Sequence, residues 1–312
     1  SPDGTFYTPD SIQKVHQSYG RAYQLPNATA HNETCANIGN MLFNWRMLQV
    51  TGEAKYAEIV ETALYNSVLS GISLDGTKFF YTNPLRISHD FPYTLRWSKE
   101  RETYIKLCNC CPPNTVRTLT QVQNYAYTLS ENAVWCNLYG GNQLETAINA
   151  KEKIKLLQTT DYPWDGNVKI RIDEAPKKTL SLHLRIPEWC EKASITVNGE
   201  LFVNENKANT YTEINRVWKK GDVVELVLDM PVKLMESNPL VEETRNQTVV
   251  KRGPLVYCLE WADNKDGHVL NLVFDPKSEP QASFKQELLN GVEVISGQAS
   301  SLKQTENGVQ AS

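Results

Sequence analysis

Four cysteines and one glutamate in two short segments constrain this chain more than any other feature. Residues 108–114 read Cys-Asn-Cys-Cys-Pro-Pro-Asn, and a further cysteine follows a glutamate far upstream, in Glu33-Thr34-Cys35. Zinc binds both thiolates and carboxylates, and four such ligands complete a tetrahedral shell. A thiolate that also faces a pocket is a nucleophile whose ionisation the metal supports. The pattern predicts either a zinc site or a group of buried or redox-active thiols without metal.

The other cysteines do not suggest a disulfide framework. The chain has 7 cysteines, and an odd, clustered set favours metal or catalytic chemistry over disulfide pairing. Cys136, Cys190 and Cys258 lie in apolar, strand-like contexts. Free cysteine behaves there as a small hydrophobic residue, so we expect all three to be buried and inert.

Composition excludes two classes of protein. The 312 residues are 40% hydrophobic and 22% charged, which is typical of a globular protein with two domains. The net charge of -4 and the lack of a sustained Lys/Arg stripe argue against nucleic acid as a partner. No apolar run has the length of a membrane-spanning helix, so we expect no membrane partner.

Three helices are predicted before residue 130. The first is expected to end at Gly52 and the second to run from Ala54 to about Ser70, both with apolar residues at helical spacing. The third is expected to begin at Pro112-Pro113, because proline is tolerated in a first turn. We expect these prolines to forbid helix at Cys110 and Cys111, which precede them. The predicted apolar positions are Ile38, Met41, Leu42, Trp45 and Leu48, then Ile59, Val60, Ala63, Leu64, Ser67 and Val68, then Val116, Leu119, Val122 and Ala126.

From about Val134 the hydrophobic period changes to two. Leu180, Leu182, Leu184 and Ile186 alternate with other residues, and Val224, Leu226 and Leu228 do the same. Turn signals such as Asn198-Gly199 separate these runs, a pattern that indicates an antiparallel β-sandwich. We therefore predict an α+β multidomain chain with a helical part at residues 1–130, a β-sandwich at 131–275, and a polar tail or the start of a further β-domain at 276–312.

The helical part is too small to close on itself. Three helices do not make a closed domain with a pocket, and the chain begins with Ser1 instead of Met. We therefore expect a preceding segment or a partner chain to supply the remaining helices. The compartment stays open between bacterial cytoplasm and periplasm, and an oligomer is compatible with the sequence.

Seven motifs occur in the order of a known enzyme family. They are Leu25-Pro26-Asn27, Glu33-Thr34-Cys35-Ala36, Asn44-Trp45-Arg46, Leu64-Tyr65-Asn66, Ser73-Leu74-Asp75-Gly76 with Phe79-Phe80-Tyr81-Thr82-Asn83-Pro84, Cys108-x-Cys110-Cys111-Pro112-x-Asn114, and Lys251-Arg252-Gly253-Pro254-Leu255-Val256-Tyr257. Together they closely resemble glycoside hydrolase family 127, the β-L-arabinofuranosidase family, over roughly residues 15–275.

This resemblance implies a fold and a chemistry. The implied fold is an (α/α)6 barrel, of which this chain would hold the second half, followed by β-sandwich domains. The implied activity is that of a retaining glycosidase with a cysteine nucleophile, acting on β-L-arabinofuranosides or related furanosides of plant cell-wall glycans. The implied cofactor is Zn²⁺, bound by Glu33, Cys35, Cys110 and Cys111, and the implied nucleophile is Cys110.

One position departs from the family pattern. The family's general acid/base is a glutamate that stands 16 residues before the zinc-binding glutamate, and in this chain that position is Gln17. An amide does not protonate a leaving group near neutral pH. His16 is the nearest titratable residue, although a lone histidine is more often structural.

The departure at Gln17 leaves alternatives open. One is a hydrolase of aceric acid, the carboxylated sugar of rhamnogalacturonan II, on which a divergent branch of the family acts. Another is a catalytically impaired carbohydrate-binding homologue with structural zinc. A zinc-thiolate redox or structural module would explain the cysteines but not the Leu-Pro-Asn and Ser-Leu-Asp-Gly motifs.

Overall fold

The computed structural model describes residues 21–25, 27, 30–83, 86–87, 100–106, 108–149, 152–203, 207–264, 269–275, 277–305 and 308–311. Gln17 and His16 lie outside these residues. The chain divides into two compact units. The first comprises residues 1–230 and 237–247, and the second comprises residues 231–236 and 248–312.

The helices of the first unit follow the predicted order. They are α1 (Thr34–Thr51), α2 (Ala54–Ala63) and α3 (Cys111–Thr120). A π-helical turn (Leu64–Val68) and a 3₁₀ turn (Leu69–Gly71) extend α2, and a 3₁₀ turn (Val122–Tyr125) follows α3. In the described part of the chain, none of the helices has the length and apolar content to cross a bilayer.

The helix ends follow from particular residues. Gly52 ends α1 with a φ of 69°, and its backbone N–H donates to the Leu48 carbonyl, as predicted for a C-terminal glycine. The two prolines do lie in the first turn of α3, but that helix begins at Cys111 itself. The expectation that they forbid helix there was wrong, because N–H groups of a first turn have no intrahelical acceptor to lose.

The predicted apolar sides of the helices were only partly right. Ile38, Met41, Trp45 and Leu48 are buried as expected, and they pack with α2 and Tyr125. In contrast, Leu42, Ile59 and Val116 are 39%, 38% and 48% exposed. The buried side of α3 is Cys111, Pro112, Thr115 and Thr118. A helix that carries apolar residues on two sides does not reveal from periodicity alone which side its neighbours cover.

Ten strands of the first unit form two sheets. They are β1 (Tyr127–Ser130), β2 (Ala133–Cys136), β3 (Asn142–Ala147), β4 (Lys153–Thr160), β5 (Asn167–Glu174), β6 (Leu180–Ile186), β7 (Ala193–Val197), β8 (Glu200–Val203), β9 (Thr210–Arg216) and β10 (Val223–Leu228). One sheet has the order β1-β2-β6-β9 and the other β3-β4-β5-β10-β7-β8. Alternate residues of both sheets bury their side chains in one shared apolar core, so the predicted β-sandwich is confirmed.

One strand pair departs from the predicted antiparallel pattern. β2 and β6 are parallel, with Val134 opposite Leu182, whereas the other described pairs of this unit are antiparallel. The chain leaves the first sheet after β2, builds β3, β4 and β5 of the second sheet, and returns at β6. A parallel neighbour requires a crossover of this kind, and residue alternation within a strand does not encode it.

The second unit consists of short strands. They are β11 (Val232–Glu236), β12 (Thr248–Arg252), β13 (Leu255–Tyr257), β14 (Leu272–Phe274), β15 (Gln281–Lys285), β16 (Val292–Ser296), β17 (Ala299–Thr305) and β18 (Gly308–Ala311). They form sheets of order β11-β12-β13 and β14-β17-β18 and a β15–β16 hairpin. The stretch from residue 276 therefore contains strands.

A buried cluster of charged residues joins α2 to the sandwich. Arg185 of β6 is fully buried, and its two terminal nitrogens lie 3.1 Å from Glu58 Oε2 and 2.5 Å from Glu61 Oε1. The Tyr162 hydroxyl donates to Glu61 Oε1 at 2.7 Å, and the Tyr139 hydroxyl donates to the Arg185 carbonyl at 2.6 Å. We refer to Arg185, Glu58, Glu61 and Tyr162 as the arginine cluster.

Candidate metal and thiol site

The predicted ligands lie at the N-terminal ends of two helices. Glu33 is the N-cap of α1 in an extended conformation (φ −64°, ψ 136°), and Cys35 lies in its first turn. Cys110 is the N-cap of α3, and Cys111 is its first residue. The N-terminal end of a helix carries partial positive charge, which favours carboxylates and thiolates. Both helices therefore present anion-favouring ends to the same site.

An extended segment fixes the position of the α1 end. Thr82 pairs with Glu33 in an antiparallel bridge. On either side of that bridge, Thr34 N–H donates to the Tyr81 carbonyl at 2.9 Å and Asn83 N–H donates to the Asn32 carbonyl at 3.1 Å. The Phe-Phe-Tyr-Thr-Asn motif therefore supplies backbone that supports the ligand-bearing segment.

Glu33, Cys35, Cys110 and Cys111 converge, and we call them the thiol cluster. Cys35 Sγ lies 3.4 Å from Cys110 Sγ and 3.5 Å from Cys111 Sγ, and the latter two sulfurs are 3.9 Å apart. Glu33 Oε1 lies 3.5 Å from Cys110 Sγ and 4.0 Å from Cys111 Sγ. All four donor atoms lie within 4.8 Å of one another. This arrangement can hold a metal ion.

The cysteines differ in exposure. Cys111 is fully buried, whereas Cys35 and Cys110 are half-buried. Cys108 is exposed and is not a member of the cluster. Cys136 and Cys190 are buried, as predicted for inert thiols. The same prediction for Cys258 was wrong, because that residue follows the short strand β13 and is exposed.

The site shifts the pKa of each of its acidic groups. The hydrogen bond with His31 is the main cause that lowers the pKa of Glu33. The pKa of Cys35 falls to about 6, chiefly because Cys111 hydrogen-bonds to its sulfur, against the opposing effect of burial. Burial raises the pKa of Cys110 to about 12, and a hydrogen bond to Cys35 raises that of Cys111. One thiolate shared among three sulfurs accounts for these opposite directions.

Four residues near the cluster were assigned no functional role from the sequence, although two of them, Tyr81 and Asn114, belong to its motifs. His31 Nε2 lies 3.2 Å from Glu33 Oε2, and the Tyr81 side chain also hydrogen-bonds to Glu33. The Asn114 amide donates to Cys35 Sγ at 2.9 Å, and the Arg117 guanidinium donates to the amide oxygen of Asn114. Residue spacing would not have revealed His31, because Asn32, between it and Glu33, has a positive φ of 37°, and strand alternation applies only to extended backbone.

Sequence comparison matches nearly the whole chain to one family. Residues 5–124 match the model of the β-L-arabinofuranosidase GH127 catalytic domain, where GH127 denotes glycoside hydrolase family 127. Residues 133–230 match the model of the GH127 middle domain, and residues 232–301 match that of the family 127 C-terminal domain. The match to the catalytic-domain model includes all four residues of the thiol cluster.

A curated relative and several solved structures agree with this match. The non-reducing end β-L-arabinofuranosidase of Bifidobacterium longum subsp. longum is 31% identical over 93% of this chain and 45% of its own length. A solved structure described as a glycoside hydrolase is 61% identical, with a TM-score of 0.90, over 100% of this chain and 52% of that one. The GH127 β-L-arabinofuranosidase from Geobacillus stearothermophilus T6 is 37% identical, with a TM-score of 0.83, over 91% of this chain and 45% of that one.

The chain spans about half the length of these relatives. Its three consecutive family matches and its close structural similarity nevertheless cover nearly every residue. The order of those matches also agrees with the order of helices and strands along the chain. The chain belongs to glycoside hydrolase family 127.

Proposed function

We propose that the protein hydrolyses β-L-arabinofuranosides, or related furanosides of plant cell-wall glycans, with retention of configuration. The observation that carries the proposal is the convergence of Glu33, Cys35, Cys110 and Cys111 within 4.8 Å, in a chain of this family. The curated Bifidobacterium relative is named for the same activity. The glycan substrate follows from that activity.

We propose that the thiol cluster binds one Zn²⁺. Three sulfurs and one carboxylate oxygen are a donor set that suits this ion. A tetrahedral zinc site with ordinary bond lengths separates two sulfurs by about 3.8 Å and a sulfur from an oxygen by about 3.6 Å. The sulfur–sulfur distances of 3.4–3.9 Å and sulfur–oxygen distances of 3.5–4.0 Å support this fit. Bound zinc would keep the thiols deprotonated at neutral pH.

Cys110 is the proposed nucleophile. Its neighbour Cys111 is fully buried, so a sugar cannot reach that sulfur. Cys35 is half-buried like Cys110, but the Asn114 amide donates to its sulfur. A hydrogen bond to a thiolate stabilises its charge and lowers its nucleophilicity. Cys110 therefore combines partial exposure with a sulfur whose hydrogen-bond partners are other thiols and Glu33 instead of an amide.

The reaction takes place in two displacements. The Cys110 thiolate attacks the anomeric carbon, the bond from that carbon to the leaving-group oxygen breaks, and a thioglycosyl intermediate forms. Water then attacks the same carbon, the carbon–sulfur bond breaks, and the thiolate is regenerated. Two inversions give net retention. Each step requires a proton transfer, to the leaving oxygen and then from the attacking water.

Gln17 supports a second candidate function. If it occupies the family's acid/base position, ordinary glycosides would lose general acid catalysis, which is worth about 10²- to 10⁴-fold in rate. A carboxylated sugar, such as aceric acid of rhamnogalacturonan II, would bring its own acidic group. In the limiting case, the protein is a homologue that binds glycans without hydrolysing them and holds zinc as a structural ion.

We also propose that residues 1–130 are the second half of an (α/α)6 barrel. The exposed apolar side chains of Leu42, Phe43 and Val50 on α1 support this, because a barrel helix packs against neighbours on both sides. The roughly half-length coverage of relatives is in line with it. The first half would complete the pocket above the thiol cluster.

Rates of the full-length protein on two substrates test the proposed function. The substrates are an aryl β-L-arabinofuranoside, whose leaving group needs little protonation, and an arabinofuranosyl disaccharide, whose leaving group needs more. We expect measurable turnover of the aryl substrate and slow turnover of the disaccharide. Cys110→Ser should abolish both. Gln17→Glu should accelerate the disaccharide reaction by part of the about 10²- to 10⁴-fold that a general acid contributes.

Cys258→Ser is the matched control, because Cys258 is exposed and outside the cluster. It should retain wild-type rates on both substrates. Turnover that survives Cys110→Ser would exclude Cys110 as the nucleophile. Hydrolysis of rhamnogalacturonan II oligosaccharides in place of arabinofuranosides would favour the second candidate function, and glycan binding without turnover would favour the limiting case.

A further inference from the structure

The two oxygens of the Glu33 carboxylate have different surroundings. Oε1 lies 3.5 Å from Cys110 Sγ and 4.0 Å from Cys111 Sγ, so it faces the sulfurs. Oε2 lies 3.2 Å from Nε2 of His31. The His31 side chain is only 3% exposed, against 15% for that of Glu33. The carboxylate is therefore divided between a metal-ligand side and a protein side.

Local structure holds the His31 ring in this position. The ring packs edge-on against Tyr81, with 5.8 Å between centroids and 61° between planes. Tyr81 belongs to the extended segment whose backbone pairs with residues 32–34, through the hydrogen bond from Thr34 N–H to the Tyr81 carbonyl. The extended segment whose backbone positions Glu33 therefore also supplies Tyr81, against which the His31 ring packs.

A partly buried carboxylate with one oxygen on a metal needs a hydrogen-bond donor for the other oxygen. Partners of metal ligands typically contribute about 10- to 100-fold to metal affinity, because they fix the orientation of the ligand. We infer that His31 is a positioning residue, which donates from Nε2 to Glu33 Oε2 and so presents Oε1 alone to the metal. This inference rests on the proposed metal binding by the thiol cluster.

Zinc affinity of full-length His31 variants tests the inference. His31→Phe keeps a ring against Tyr81 but has no donor, whereas His31→Gln places an amide N–H at nearly the same reach. Affinity is measured by competition with a chromophoric chelator. We expect His31→Phe to bind zinc about 10- to 100-fold more weakly than wild type and His31→Gln to recover most of that loss.

The absorption spectrum of the Co²⁺-loaded protein provides a readout that a general loss of packing would not change. Its ligand-field bands depend on the geometry of the donor set. They should shift in His31→Phe and return toward wild type in His31→Gln. His183→Phe is the matched control, because His183 stacks on Trp135 in the sandwich. It should leave both the affinity and the spectrum unchanged.

Each outcome decides the question. Wild-type affinity and spectrum in His31→Phe would overturn the positioning role while leaving metal binding intact. A wild-type protein that binds no metal would overturn both proposals. If His31→Phe does not fold, His31→Asn replaces it, because the shorter amide does not reach Glu33 Oε2. Equal zinc affinity of His31→Asn and His31→Gln would then overturn the inference, and a 10- to 100-fold difference would support it.

Discussion

The arginine cluster is buried and the thiol cluster is partly buried, and the acidic side chains of the two clusters are balanced in opposite ways. In the arginine cluster the chain supplies its own cation, and Arg185 contacts both Glu58 and Glu61. In the thiol cluster, a carboxylate and three thiols converge, and the partners that the described residues provide are hydrogen-bond donors such as His31 and Asn114.

This difference distinguishes a cluster whose charges the chain itself neutralises from one that can hold a metal ion. Arg185 is paired with two carboxylates, so the arginine cluster carries its own cation and joins α2 to β6. Converging thiols cannot all ionise without a cation nearby, because like charges repel at these distances. Ionisation of more than one of them therefore requires a cation such as a bound metal ion.

The largest effect is expected from replacing Arg185, the cation of the arginine cluster. Arg185→Met leaves two buried carboxylates unpaired, and breaking a buried ion pair on one side typically costs about 3–5 kcal/mol of unfolding free energy. Denaturant unfolding of the full-length protein measures this loss of unfolding free energy. Arg171→Met is the control, because the Arg171–Asp173 pair is exposed and such pairs contribute less than about 1 kcal/mol. Equal losses in the two variants would mean that the arginine cluster is hydrated.

A smaller effect is expected from adding zinc, the proposed cation of the thiol cluster. Zinc at a free concentration of one hundred times its Kd should add about 2.7 kcal/mol to the unfolding free energy, provided that the unfolded chain does not bind it. Cys111→Ala should abolish this increment, and Cys258→Ala, at an exposed thiol, should retain it. An increment that persists in Cys111→Ala would place the metal elsewhere.

The smallest effect concerns the metal-free protein. The pKa of Cys35 is lowered from 9.0 to about 6, so its thiolate stabilises the fold fully above the ordinary thiol pKa, and this contribution is lost as the pH falls through about 6. Alkylation of Cys35, followed by peptide mass spectrometry, should therefore rise with pH around a midpoint of about 6.

Asn114→Ala tests one cause of that shift. The variant removes an N–H donor to the Cys35 sulfur, and we expect the midpoint to rise by about one pH unit, equal to about 1.4 kcal/mol. Asn215→Ala, in the sandwich, should leave it unchanged. A wild-type midpoint near 9 would show that the three sulfurs do not share a thiolate.

Local chemistry in the sequence was sufficient for much of the architecture. Alternation at Leu180–Ile186 and Val224–Leu228 predicted strands whose apolar residues face the core, because successive side chains of a strand point to opposite faces. Gly52 predicted a helix end because a positive φ suits glycine. The ligand types at Glu33, Cys35, Cys110 and Cys111 predicted a cluster that the structure brings together.

Tertiary arrangement decided what the sequence could not. Exposure of Leu42, Ile59 and Val116 depends on which neighbours a helix has. The parallel pairing of β2 with β6 depends on a crossover through the other sheet. Cys258 has an apolar local sequence, but the short strand β13 that precedes it does not bury its side chain. The contact between His31 and Glu33 spans Asn32, whose positive φ of 37° is a local conformation that residue spacing does not encode.

The contacts of Arg185 also constrain the order in which the molecule assembles. They close chain loops of 127 and 124 residues, to Glu58 and Glu61, and contacts between distant residues form slowly because loop closure has an entropic cost. We therefore expect β6 to pair within the sandwich before α2 docks on it. We expect α2 to dock late and to open first, so that its backbone amides exchange with solvent before those of β6.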